Sequence, residues 1–232
     1  MKFTNNSQLS LWKILATYLE WAQNVDIAVA FLRMSGIRIV VNYFRNIITN
    51  GGRIRVICGK DFGYTEPDAL QELRKIGVKV KVFTGEQIFH PKAFIFWKDD
   101  QLRGILGSSN LTASGLESGV EWNIAIDDDQ EILHEMGDCF ESLWKSAEVK
   151  ELTDTLLSTM RQDRTEFDRN PVHERIEKLL DFSGDTFSFP FRVGPAFLDP
   201  RYPHPLTIPK KYYPVLGKYL TKDHTDVGVF EV

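Results

Sequence analysis

The residues best suited to chemistry lie in one short stretch near the middle of the chain, and their types fit reactions at phosphorus. His90 and Lys92 are two apart at the start of an apolar run, so in a strand their side chains share a face. An imidazole can act as a nucleophile, and an ammonium can hold an anion. Ser108 and Asn110 follow a second apolar run, and Glu121 comes eleven residues after Asn110. These residues together predict a site for a phosphate group.

A β-hairpin is predicted to position them. Residues 93–97 and 102–106 are apolar or branched, and the Asp99-Asp100 pair between them is typical of a turn. The second strand runs into small polar residues at 107–110, ahead of a predicted helical turn at 111–115. Backbone N–H groups at such a turn, with the Ser108 and Asn110 side chains, are expected to form an anion site.

Helical and strand-like segments alternate on either side of the hairpin. The predicted helices cover 9–21, 36–48, 65–76 and 130–144, and the predicted strands cover 25–31, 53–58, 78–83 and 122–126. Such alternation predicts crossover units around a parallel sheet, and the hairpin makes the sheet mixed. We therefore expect an α/β fold with a mixed, mainly parallel β-sheet flanked by helices on both faces.

Composition sets bounds on the class of protein. The chain has 232 residues, 43% hydrophobic and 26% charged, which is ordinary for a globular protein with one main core. Its net charge of -4 argues against indiscriminate nucleic-acid binding by the whole surface, though not against a local basic groove. We find no membrane-spanning run and no signal peptide, so we expect a cytoplasmic protein. Cys58 and Cys139 are expected to be reduced and buried.

The chain is predicted to divide near residue 150. Residues 1–150 form the predicted α/β domain, and residues 151–232 form an extension with helices at 152–167 and 172–180. Within 201–222 five basic residues and four tyrosines occur with no acid. This segment could contact nucleic acid through charge and stacking, or it is a solvated linker or packed arm.

The motif His90-Pro91-Lys92 followed by Gly107-Ser108-Ser109-Asn110 resembles the signature of the phospholipase D superfamily, the His-x-Lys phosphodiesterases. That signature normally has an aspartate five residues after the lysine, where this chain has Trp97. With Glu121 in place, the variant looks most similar to the nuclease domains of phospholipase D-type restriction endonucleases, the metal-independent group that includes BfiI. The resemblance implies a phospholipase D-like α/β/α sandwich.

The resemblance also implies a role for each of the five residues. His90 matches the nucleophile that forms a covalent phosphohistidine. Lys92 matches the residue that holds the non-bridging phosphate oxygens, and Ser108 and Asn110 match further donors to them, in place of a divalent cation. Glu121 matches the acid that orients the imidazole. No cofactor and no metal are expected, and no His or Cys cluster has zinc-ligand spacing.

The mechanism needs a second histidine as general acid for the leaving oxygen. None of the other four has a lysine two residues later: His134, His173, His204 and His224. We therefore predict a homodimer in which two copies of the motif share one site.

The leading interpretation is a metal-independent DNA endonuclease of restriction or defence type. The alternatives are a lipid phosphodiesterase or phosphatidyl transferase, and a catalytically silent DNA-binding module, which the missing aspartate at Trp97 favours. No sequence-reading motif is present, so specificity would come from a further domain, from a partner protein, or be absent. Ser35 and Lys60 follow the first two main strands and could line a substrate groove. Alternatively, Ser35 caps a helix and Lys60 is solvated.

Overall fold

The computed structural model describes residues 1–169, which form one eight-stranded sheet with helices on both faces. The strands are β1 Lys2–Thr4, β2 Asn24–Val29, β3 Arg53–Gly59, β4 Lys79–Phe83, β5 Lys92–Lys98, β6 Gln101–Gly107, β7 Asn123–Ile126 and β8 Val149–Glu151. The helices are α1 Leu11–Trp21, α2 Met34–Thr49, α3 Pro67–Lys75, α4 Gln130–Lys145 and α5 Asp154–Arg169. Short turns of 3-10 helix at Asp61–Gly63 and of π-helix at Ser114–Ser118 follow β3 and β6.

The strand order is β1-β7-β6-β5-β2-β3-β4-β8, and the sheet is mixed, as predicted. The sheet is not mainly parallel, contrary to the prediction. Only the pairs β2–β3 and β3–β4 are parallel, while the other five pairs are antiparallel. The reason is that helical crossovers connect β2, β3 and β4, whereas β5, β6 and β7 follow each other without a crossover on one side of β2.

The larger apolar core lies between one face of the sheet and helices α1, α2, α3 and α5. Alternate residues of β2, namely Val25, Ile27 and Val29, point into it, as period-two alternation in a strand requires. Leu157 and Met160 of α5 are buried in the same core. The helix predicted at 152–167 is thus confirmed as α5, while the predicted helix at 172–180 and the basic segment at 201–222 lie outside the described residues.

Helix α4 covers the opposite face of the sheet. It begins after Asp129, which caps it, since the Asp129 side chain accepts a hydrogen bond of 3.2 Å from Ile132 N. Leu133 and Phe140 pack against the sheet in a second, smaller core. Cys58 is buried, as expected, but Cys139 is exposed because it lies on the solvent side of α4.

A buried ionic cluster lies beneath α4. Arg55 donates two hydrogen bonds to the fully buried carboxylate of Asp26, at 2.7 and 2.9 Å, and a third of 2.7 Å to Glu141. Trp97 Nε1 donates to the same Asp26 at 2.9 Å. The position at which the phospholipase D signature has its aspartate is therefore used to satisfy a carboxylate on the neighbouring strand.

Candidate active site

All five predicted site residues lie along one edge of the sheet, the edge that is formed by the ends of its central strands. At this edge β2 and β6 end and β5 and β7 begin, because Lys92 is paired with Val29 and Gly107 with Asn123. His90 precedes β5 by two residues, while Ser108 and Asn110 follow β6. Glu121 precedes β7 by two residues. The strand register thus brings together segments that are up to 31 residues apart in sequence, because Glu121 follows His90 by 121 − 90 = 31 positions.

His90 and Lys92 are in direct contact. Lys92 Nζ lies 3.0 Å from Nδ1 and 3.1 Å from Nε2 of the exposed His90 ring. The same ammonium donates a 3.0 Å hydrogen bond to the His90 carbonyl oxygen, while the rest of the lysine is buried. An ammonium has only donors, so a ring nitrogen that accepts from it must carry its lone pair. That form of the imidazole is the one that can act as a nucleophile.

Asn110 is almost fully buried and is held by the end of β2. Its Oδ1 accepts a hydrogen bond of 3.1 Å from the backbone N–H of Phe31. With the carbonyl end of the amide engaged, the NH2 end is oriented away from Phe31. The amide can therefore present a donor to an anion at this edge.

Ser108 and Glu121 form a hydrogen-bonded pair. Ser108 Oγ donates to Glu121 Oε2 and accepts a 2.9 Å bond from Trp122 N. Ser108 N in turn donates to Trp122 O at 3.0 Å. The two predicted residues thus join the end of β6 to the start of β7. Because the one hydroxyl hydrogen of Ser108 is donated to Glu121, Ser108 does not have the predicted role of a donor to phosphate in this arrangement.

Asn123 and Ser109 are structural residues of the site that the sequence reasoning missed. Asn123 Oδ1 accepts from Ser109 N at 3.2 Å, and Asn123 Nδ2 donates to Ser109 Oγ at 2.9 Å. Ser109 Oγ donates to Gly115 O at 2.8 Å. A Cβ on Gly107 would lie 2.4 Å from Asn123 Oδ1, so glycine is needed there. One signal was available, because Asn123 is a polar residue within a strand that otherwise reads as apolar.

Much of the predicted backbone anion site is used for contacts within the protein. Six backbone N–H groups donate to acceptors within the protein, namely those of Ser108, Ser109, Thr112, Ala113, Gly115 and Leu116. The helical turn begins at Ser114 rather than at Leu111 and has only five residues. The side-chain donors that this edge offers to an anion are those of Lys92 and Asn110.

Ser35 does not cap α2, contrary to one of its two predicted roles. The helix begins at Met34, and Ser35 Oγ accepts a hydrogen bond of 3.3 Å from Ala113 N. A Cβ on Gly36 would lie 2.2 Å from Leu111 O, so the first turn of α2 approaches the loop after Asn110 closely. Ser35 and Gly36 therefore hold that loop against α2.

Trp97 lies far from the site. It is five residues beyond Lys92 on β5, which corresponds to roughly 16 Å at about 3.3 Å per residue. A missing aspartate at that position therefore leaves the edge that carries His90 unchanged. The main argument for a catalytically silent module is weakened accordingly.

Neither a metal-binding cluster nor a membrane-spanning helix occurs among residues 1–169. Within residues 1–169 the side chains of His, Cys, Asp and Glu form no group of three or more that could hold a metal ion. In the same part of the chain, none of the helices has both the length and the apolar character needed to span a bilayer.

The fold and the His-x-Lys edge define an α/β domain with a candidate phosphate site, and comparison with known proteins identifies its family. Residues 17–144 match the family described as "Cardiolipin synthase, PLD-like domain". Since the match covers more than half of the chain, the chain belongs to the phospholipase D-like family. A search of curated proteins by sequence finds no match.

Solved structures share this fold at low sequence identity. NucT from Helicobacter pylori is 16% identical with a TM-score of 0.52, over 65% of this chain and 100% of that chain. The phospholipase D family member Nuc from Salmonella typhimurium is 13% identical with a TM-score of 0.54, over 66% and 97%. Polyphosphate kinase from Porphyromonas gingivalis is 12% identical with a TM-score of 0.50, over 67% of this chain and 24% of that chain. These similarities establish the α/β/α sandwich.

Proposed function

We propose that this protein hydrolyses phosphodiester bonds in DNA without a metal ion, through a phosphohistidine at a site shared by a homodimer. The single observation that carries the proposal is the contact of Lys92 Nζ with both ring nitrogens of His90, at the edge that also holds Asn110. A nucleophile, a cation and an amide donor converge there, as phosphoryl transfer requires. The fold shared with Nuc and NucT supports the choice of a nucleic-acid substrate.

The reaction has two balanced steps. In the first, a ring nitrogen of His90 attacks phosphorus, the bond from phosphorus to the leaving oxygen breaks, and His90 of the partner subunit gives that oxygen a proton. In the second, water attacks the phosphohistidine, the P–N bond breaks, and the neutral partner imidazole takes the proton from the water. Lys92 and Asn110 hold the non-bridging oxygens in both steps, and Glu121 with Ser108 positions the imidazole.

A second copy of the chain would supply the second histidine. His134, the other histidine among residues 1–169, is exposed in the first half of α4. Helix α4 begins after β7, at the sheet edge opposite the site, so His134 cannot act as the general acid there. We infer that His90 of the partner subunit takes this role.

An exposed apolar surface beside the site is suited to this contact. We define the apolar face as Phe3, Leu106, Trp122 and Ile124, which are 56%, 49%, 68% and 46% exposed. They are contiguous, since Ile124 is paired with both Phe3 and Leu106, and the Phe3 and Trp122 rings lie 6.0 Å apart. Leu106 and Trp122 are next to Gly107 and Glu121 in the chain. A two-fold contact between apolar faces would therefore bring two sites together.

The test is cleavage of plasmid and single-stranded DNA in EDTA by the wild type, by His90→Ala and by the matched control His134→Ala. We expect His90→Ala to abolish cleavage and His134→Ala to retain it. A covalent adduct between labelled DNA phosphate and the wild-type protein should be acid-labile and alkali-stable, as expected for a phosphohistidine. Activity that disappears in EDTA, or that survives His90→Ala, would overturn the proposal.

A lipid phosphodiesterase or phosphatidyl transferase is the second candidate. The match to a family described as cardiolipin synthase favours it, and the apolar face could also contact lipid. Release of head group from anionic phospholipid vesicles, with no cleavage of DNA, would establish this alternative. Tight DNA binding without cleavage of any substrate would instead indicate a silent binding module. If DNA is cleaved, sequence recognition of restriction type would require a further domain or a partner protein.

A further inference from the structure

Phe31 and Tyr64 form an aromatic pair at the same sheet edge as the candidate site. Their ring centroids are 5.3 Å apart and the ring planes are inclined by 36°. Phe31 follows the end of β2 by two residues, and Tyr64 directly follows the 3-10 turn after β3. The pair therefore lies on the side of His90 away from the apolar face, since β2 and β3 are on one side of β5 and β6 and β7 on the other.

The pair is not part of the apolar cores. Ala30 and Leu32 on either side of Phe31 are buried, whereas Phe31 and Tyr64 are only half-buried. Among the residues that the structure describes, neither ring belongs to the two core clusters. Both rings therefore keep a part of their surface exposed at this edge.

The pair adjoins the groups proposed to bind phosphate. The backbone N–H of Phe31 donates to Asn110 Oδ1 at 3.1 Å, and Lys92 is paired with Val29, two residues before Phe31. Two residues of extended chain span roughly 7 Å, about the distance from a phosphate to the base of the same nucleotide. Lys60 is exposed at the start of the 3-10 turn that precedes Tyr64, so a cation is available for a neighbouring phosphate.

We propose that Phe31 and Tyr64 form a stacking platform for the nucleobase next to the scissile phosphate, and that the preferred substrate is single-stranded nucleic acid. This inference rests on the proposed function. A base within a duplex is stacked on both faces, so it reaches a platform at the protein surface only after it leaves the stack. An unpaired strand avoids that cost, and aromatic stacking tolerates any base sequence.

The experiment uses two oligonucleotides of equal length in EDTA, one ordinary single-stranded DNA and one made of tetrahydrofuran abasic residues. Both contain the same phosphodiester backbone, so the ratio of their kcat/KM values reports the contribution of the bases. Wild type should prefer the base-containing strand. Because stacking is worth about 1–3 kcal/mol per base, Phe31→Leu and Tyr64→Leu should each lower this ratio by roughly 5-fold or more, and Phe31→Trp should retain it.

Tyr43→Leu is the matched control. Tyr43 is another half-buried ring in an aromatic pair, 5.4 Å from Trp12, but it lies in the second half of α2, away from the edge. Its substitution should leave the ratio unchanged. Equal cleavage of both strands by wild type, or an unchanged ratio in Phe31→Leu and Tyr64→Leu, would overturn the platform alone. Cleavage of plasmid DNA but of neither single strand by wild type would also overturn the platform alone. Cleavage of none of the three substrates would overturn the proposed function and the platform with it.

Discussion

Lys92 Nζ lies 3.0 Å from Nδ1 and 3.1 Å from Nε2 of His90, and this pair is fixed by the first residues of β5. The lysine stem is buried, so the ammonium has little freedom to move away from the imidazole. A phosphate that binds the ammonium is therefore brought to the nucleophile. The two residues act as one unit, in which Lys92 sets the position at which His90 attacks.

Loss of the ammonium should slow the chemical step. Lys92→Met keeps an unbranched stem but removes the charge that holds the phosphate oxygens, and we expect kcat to fall by about 10²- to 10³-fold. Lys92→Arg keeps the charge with a different geometry, so its kcat should lie between that of the wild type and that of Lys92→Met. DNA cleavage rates in EDTA measure the effect. A Lys92→Met enzyme with near wild-type kcat would show that this ammonium has no role in the reaction.

Two substitutions of Asn110 should separate its effect on activity from its effect on stability. Asn110→Asp keeps an acceptor for the Phe31 N–H but replaces the NH2 donor with negative charge, so we expect activity to fall about 100-fold or more with little change in Tm. Asn110→Ala removes both functions and should also lower the free energy of unfolding by about 1–3 kcal/mol, because the Phe31 N–H is left without its acceptor. Cleavage assays and thermal melts of both variants provide the comparison. Equal activity of Asn110→Asp and wild type would exclude the proposed donor role.

The apolar face should control assembly. Phe3→Asp puts a charge in the middle of the proposed two-fold contact, and we expect it to give a monomer by sedimentation and to lose DNA cleavage. Lys2→Asp is the control, because Lys2 is exposed on the same strand but pairs with Ala125 on the other face of the sheet. It should remain a dimer and remain active. A fully active Phe3→Asp monomer would contradict the shared site.

The buried Asp26–Arg55 pair should contribute strongly to stability. Asp26→Ala leaves the Arg55 guanidinium buried without its bidentate partner, and we expect the free energy of unfolding to fall by about 3–5 kcal/mol in urea titrations. Arg45→Met breaks the exposed pair with Glu72 and should cost less than about 1 kcal/mol. Similar losses in the two variants would show that burial does not distinguish the two pairs.

The two thiols should differ in reactivity. Burial raises the pKa of the Cys58 thiol to about 12, whereas Cys139 is exposed. We expect a thiol reagent at pH 8 to modify one cysteine in the native protein and two after denaturation. Since the unfolded thiol ionises near pH 8.5 and the folded one only near 12, the stability that Cys58 contributes should be complete below about pH 8.5 and decline above it. Rapid modification of both thiols in the native protein would contradict this burial.

The sequence predicted most of the site because spacing and register carry the information. His90 and Lys92 are two apart, and the hairpin turn at Asp99 forces the end of β6 back beside them. It could not predict contacts between strands distant in sequence. The bond from Phe31 N–H to Asn110 depends on β2 lying next to β5, and nothing local to Phe31 indicates that arrangement.

The two shortest strands were not predicted, for a related reason. β1 and β8 have three residues each, too few for a period-two pattern, and they exist because β7 and β4 offer them unpaired backbone groups. The part of the predicted anion site that is used within the protein was missed for a different reason. Backbone N–H groups near Ser109 were expected to face a ligand, but Asn123 and Thr112 already accept from them, and side-chain partners of this kind cannot be read from a turn motif.

Subunit mixing tests the central claim most directly. Wild type and His90→Ala would be unfolded, mixed in known proportions and refolded together, and plasmid cleavage in EDTA would then be measured against the fraction of wild-type chains. A site that needs His90 from both subunits predicts activity proportional to the square of that fraction, so an equal mixture retains about one quarter of wild-type activity. A linear dependence, with about one half retained, would contradict the shared site.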